Sequence, residues 1–166
     1  MPGVHKCIQA TRDKHLECST APRPHTPYAG VSSEILKMDI LKIKDYWIEE
    51  ATESLQVARH LYEKGDYSYS LFFAHLAIEK ILKAIYVSRK NEHAPYLHNL
   101  QRLAELSDIQ LSHDQRDSLM KITTFNLESR YPDEKRSFRK KCTEEFTKKE
   151  IQEAEEIFKW LKSILQ

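Results

Sequence analysis

The sequence is poor in the residues that punctuate strands and tight turns: it has only three glycines, and four of its six prolines fall before residue 28. Without turn signals at short intervals a β-sandwich or barrel is excluded, and no sheet is expected. It also lacks any apolar run approaching the roughly 20 residues of a membrane-spanning helix, and its first 30 residues lack the apolar stretch of a secretory signal. No membrane association is expected. Three cysteines, Cys7, Cys18 and Cys142, cannot all pair within one chain and sit among polar neighbours. That usage suits a reducing compartment, and the cytoplasm is the expected location. Charge of one sign is missing too: the formal net charge is +1 although 31% of residues are charged. Any nucleic-acid contact must then come from a local patch and not from a global basic field. Several enzyme signatures are absent: there is no glycine-rich phosphate loop, HExxH, nucleophile elbow or CxxC pair.

What is present is helical periodicity. The segment from Asp66 to Arg89, wound at about 100° per residue, gathers Leu71, Phe73, Ala74, Ala77, Ile78, Ile81, Leu82, Ala84 and Ile85 on one continuous half of a cylinder. A helix lying on a domain surface needs an apolar stripe of only roughly 100°. This arc is nearly twice as wide, so the segment is expected to be a central helix touching more than one neighbour. Its other half carries His75, Glu79 and Lys83 at i, i+4 spacing, with Lys80 beside them and Phe72, Leu76 and Tyr86 interleaved.

The remaining chain supplies the neighbours. Residues 1–34 are polar, proline-containing and aperiodic, and are expected to form a disordered tail. Met38 opens a well-patterned helix, and a translation start there, with the upstream residues an extension, is an expectation from that pattern. The pairs His5/Cys7 and His15/Cys18 are zinc-type ligands, but their spacing fits no common knuckle and no metal is expected. From about Ile35 to Lys64 one long amphipathic helix is read from Ile40, Ile43, Trp47, Ala51, Leu55, Ala58 and Leu61; Gly65 supplies its left-handed stop and Asp66 the next N-cap. A short helix runs from about His98 to Ser107. A fourth opens on the capping box Ser112/Gln115 and runs to about Ser129, with Leu119, Ile122, Phe125 and Asn126 inward. Residues 130–146 read as an exposed charged loop, and Thr147/Glu150 as a second capping box for the last helix. Residues 35–166 are therefore an all-α, up-and-down antiparallel bundle of four main helices plus one short helix.

Three places can carry chemistry. Glu79 between His75 and Lys83 can orient a phosphate, a ribose or a proton, and reads equally as a ladder stabilising an exposed helix edge. His98 stands at the start of the short helix. Arg130-Tyr131-Pro132-Asp133 fixes a guanidinium at a turn, a device for gripping phosphate or carboxylate, or for pairing with Glu79 or Asp133. The basic run Lys135–Lys141, interrupted by Phe138, can track a nucleic-acid backbone or be a solvated loop.

These stretches carry a resemblance. Trp47 with Ala51, the block GDYSYSLFFAHLAIEKILKAI, the LHNL tetrad around His98 and the SRYPD segment occur in the order found in the HEPN domain family, over about Lys42 to Gln166. The resemblance implies a helical bundle that often dimerises and is encoded beside a minimal nucleotidyltransferase, as in toxin–antitoxin systems. Family members with ribonuclease activity share an Arg-x4–6-His motif near the fourth helix, whose residues from two subunits form a composite site. Arg130 stands at about the right place, but no histidine follows it, and His93 is only four residues after Arg89. Metal-independent RNA cleavage needs that imidazole. The expectation is a non-catalytic homodimer or nucleotidyltransferase partner, without cofactor, binding a nucleotide or RNA in a groove lined by Glu79, Lys83, His98, Arg130 and Tyr131. Arg130 and Lys83 would hold phosphate, Tyr131 would stack on a base, and Glu79 would orient the cations. The alternatives are an RNase toxin using His98 as a replacement base, and a pure dimerisation module.

Overall fold

The computed structural model describes residues 33–131 and 133–166, with side chains from residue 39 onward. Residues 1–32 of the expected tail, with the His/Cys pairs, lie outside these residues; Ser33, Glu34 and the alternative start Met38 belong to the first helix. Six helices follow in order: α1 (Ser33–Glu63), α2 (Tyr67–Lys90), α3 (Leu100–Leu106), α4 (His113–Arg130), α5 (Ser137–Lys141) and α6 (Glu144–Ser163). Among the described residues there is no strand, and no helix is long and apolar enough to cross a membrane.

α2 packs against every other helix. Its wide apolar arc is buried throughout from Leu71 to Ile85, apart from a partly exposed Phe73. The most extensive contact is with α1, where the small residues Ala51 and Ala58 are fully buried and let the two backbones come close. The approach is tight enough for the Ser70 hydroxyl to donate to the Ala58 carbonyl at 2.6 Å. Gly65, at φ +80°, turns the chain between the two helices, as its lack of a side chain permits. Asp66 follows it but makes no side-chain cap bond, contrary to the sequence expectation.

α4 runs antiparallel to α2: the Ser129 hydroxyl donates to the Ser68 carbonyl at one end, and His75 meets the Ile122 carbonyl further along. The capping box at Ser112/Gln115 is present with both hydrogen bonds, and Leu119, Ile122, Phe125 and Asn126 are buried as the period requires. Asn99 caps α3 by accepting from the Arg102 N–H.

Two sequence expectations are corrected near the C-terminus. The charged stretch after Arg130 is not all loop, because Ser137–Lys141 forms the single turn of α5 around a buried Phe138. Asp133 fixes its start by accepting from both the Ser137 N–H and hydroxyl, each at 2.7 Å. The last helix also begins earlier than the Thr147/Glu150 pattern implies: Thr143 is its N-cap, accepting from the Phe146 N–H. Glu150 instead points across to α4, where Lys121 Nζ lies 2.8 Å away in an ion pair whose angles fall outside hydrogen-bond geometry. Cys142 is buried, and burial followed by the charge of Glu128 raises its thiol pKa to about 11.

Candidate functional site

The polar stripe of α2 is not an exposed ladder. His75 is fully buried, Glu79 is 4% exposed and Lys83 8%. Three elements enclose them: α4 covers His75, α1 brings the Trp47 ring to 5.0 Å from Lys83 Nζ, and the segment before α3 delivers His98. That segment is pinned because the Leu100 N–H donates to Thr123 Oγ1 on α4 while Asn99 caps α3.

Glu79 is the hub. Its Oε1 accepts from Lys83 Nζ at 2.7 Å, and its Oε2 lies 2.9 Å from His98 Nδ1 and 3.2 Å from His75 Nε2. Burial alone would push the carboxyl pKa up. The hydrogen bonds from His75, Lys83 and His98, together with the Lys83 charge, outweigh burial and hold it at about 2. Both nitrogens of His75 face oxygen acceptors, Ile122 O and Glu79 Oε2, each at 3.2 Å. The His98 side chain is 61% exposed, so its second nitrogen is open to a ligand.

Arg130 and Tyr131 form a second group. The Arg130 Nε–H donates to the Asn126 carbonyl at 3.1 Å, and its guanidinium carbon lies 5.8 Å from the Phe72 ring and 5.4 Å from the Tyr131 ring. It forms no ion pair with Glu79, with Asp133 or with any other described residue; Asp133 is occupied by Ser137. Tyr131 is 70% exposed. Phe72 and Glu79 are seven residues apart on one face of α2, about 10 Å along the axis. The structure thus brings Lys83 and His98 onto Glu79 and sets Arg130 with Tyr131 about two turns away. Phe72, the platform beneath Arg130, was not singled out from the sequence; it shares the face of Glu79, but nothing local pairs residue 72 with residue 130. No group of three or more potential metal ligands occurs among the described residues.

The family model for the HEPN domain matches residues 45–164. The chain belongs to the HEPN domain family. As a solved counterpart, the crystal structure of TT1696 from Thermus thermophilus superposes on this HEPN domain with a TM-score of 0.63 at 20% identity, covering 72% of this chain and 96% of that one. At that identity the likeness concerns the fold alone. Comparison with curated proteins finds no match. In this HEPN domain the Glu79 hub lies on the central helix, and Arg130 ends the helix packed antiparallel to it.

Proposed function

We propose that this HEPN domain is a non-catalytic binding module for a nucleotide or a single-stranded nucleic acid, acting as a homodimer or beside a minimal nucleotidyltransferase in a two-gene, toxin–antitoxin-like system. One observation carries the reading: Arg130 is exposed and oriented by Asn126 and two aromatic rings, yet has no acid partner among the described residues. An arginine spent on architecture would be paired; this one presents its remaining N–H donors to whatever approaches, and such donors fit phosphate oxygens. The exposed Tyr131 ring beside it offers a stacking surface. Lys83, buried and paired with Glu79, contributes to the hub rather than to phosphate. His98 supplies the polar contact at the far end, and the separation of about 10 Å along α2 suits an extended ligand.

Calorimetric titration of the full chain with ATP and with a single-stranded RNA of about ten nucleotides tests this. Arg130→Ala is expected to weaken binding at least tenfold and Tyr131→Ala several-fold. Absence of binding to either probe by the unmodified protein sinks the reading.

A second reading rests on the contact between Glu79 and His98. A carboxylate holding one imidazole nitrogen while the other faces outward is the arrangement that orients a general base. If purified protein cleaves total RNA and His98→Ala abolishes the cleavage, this HEPN domain is a ribonuclease with a replaced histidine.

A further inference from the structure

The first turn of α2 lacks the cap that its sequence promises. The Asp66 side chain makes no cap bond, and the N–H groups of Tyr67, Ser68 and Tyr69 have no acceptor among the described residues. These residues, with Gly65, Arg139 and Cys142, line a cavity of about 260 Å³. That is below the roughly 300–1,000 Å³ of sites for drug-sized molecules, so the space fits a small group. Two further side chains, Ser68 and Arg139, line the same cavity. Ser68 is only 8% exposed, and its hydroxyl has no hydrogen-bond partner among the described residues. Arg139, on α5, donates from Nη2 to the Tyr69 hydroxyl at 2.9 Å and lies with its guanidinium carbon 5.4 Å from that ring. Its Nε–H is closed off from solvent and has no partner.

The first N–H groups of a helix have no partner within it, and such a start attracts anions. Here a helix N-terminus, the hydroxyl of a serine that is itself only 8% exposed and an arginine line one small space. Only Asp66 contributes a carboxylate to the lining, and it is solvent-exposed, where its charge is screened. A carboxylate ligand offers two oxygens, whereas a terminal phosphoryl group offers three and carries the charge that a helix N-terminus favours.

We propose that this cavity is a binding site for a phosphate monoester, separate from the Arg130 group, with phosphoryl oxygens accepting from the first-turn N–H groups of α2, from the Ser68 hydroxyl and from Arg139. It explains why one arginine of the basic stretch 135–141 is drawn inward against Tyr69 while the other basic residues of the stretch are exposed.

The test is an amide ¹H–¹⁵N NMR titration of the full chain with inorganic phosphate at constant ionic strength. Saturable shifts of the Tyr67, Ser68 and Tyr69 amides are expected, with acetate at least several-fold weaker. Arg139→Gln is expected to weaken phosphate at least tenfold and Ser68→Ala several-fold, with the rest of each spectrum reporting an intact fold. Should Arg139→Gln unfold the protein, Ser68→Ala and Tyr69→Phe decide in its place. The proposal is overturned if those three amides do not respond to phosphate, if acetate matches it, or if the folded variants respond as the unmodified protein does. Because the readout is the first turn of α2, the result is independent of what binds at Arg130.

Discussion

Glu79 stays ionised inside the bundle because three donors converge on its two oxygens, and this gives the residue a measurable signature. Its carboxyl pKa falls from an ordinary value of 4.5 to about 2. A lowered folded-state pKa contributes stability that is fully present above the unfolded value and is lost as pH falls through the folded one. Stability is therefore expected to decline between pH 4.5 and about 2 by on the order of 3 kcal/mol from this group. Urea unfolding at pH 7, 5, 4 and 3 measures it, with Glu79→Gln as the comparison because Glu105, Asp133 and Glu153 also have lowered pKa values. The variant should lose about 3–5 kcal/mol at neutral pH, since it leaves the buried Lys83 charge uncompensated. It should also show a shallower fall in the acid range; an unchanged slope would remove Glu79 from the account. Both Glu79 and His98 were legible as candidates from residue type and helical spacing. Their contact was not, because it spans 19 residues across a loop whose path is set by Asn99 and Thr123.

The start of α6 separates a pattern read from letters from the contacts that form. Thr147 with Glu150 matches the capping-box spacing, while Thr143 is followed at the third position by Phe146, which cannot return a hydrogen bond to the backbone. Thr143 is nevertheless the cap, and Glu144 and Glu145 place negative charge in the first turn, where the helix dipole favours it. Thr147 is fully buried with its hydroxyl unpartnered, and Glu150 is drawn to Lys121. Thr143→Ala should cost about 1 kcal/mol of stability. Thr147→Val, which removes a buried hydroxyl that bonds to nothing, should be neutral or stabilising. Chemical denaturation of the two variants checks both; a larger loss at Thr147 than at Thr143 would restore the sequence assignment. The long helices were legible because each repeats its apolar positions over several turns. α5 was not, since in five residues among charges only Phe138 signals burial.

At the scale of the molecule, the bundle and the central place of α2 follow from the width of its apolar arc, but the arc says nothing about surfaces left for other chains. α4 is informative there. Its inner side buries Leu119, Ile122 and Phe125, while Met120, Leu127 and Tyr131 are 54%, 60% and 70% exposed. Those three positions are separated by seven and four residues and, at about 100° per residue, fall within roughly 40° of one another. They form one straight apolar stripe. Exposed apolar stripes of this kind mark association surfaces, and a stripe on one helix can pair with itself about a two-fold axis. Pairing α4 with its copy would bring two Arg130 side chains to the same interface, so the phosphate-gripping group proposed above would be doubled by dimerisation. The expected result in sedimentation at tens of micromolar, a conventional working range, is a dimer. Leu127→Glu should convert it to monomer without loss of helix content, because the replaced side chain makes few contacts within its own chain. In the same variant RNA affinity should fall while the environment of Arg130 within one chain is unchanged. A monomer in the unmodified protein, or a dimer that survives Leu127→Glu, would place the association surface elsewhere and leave each Arg130 to act alone.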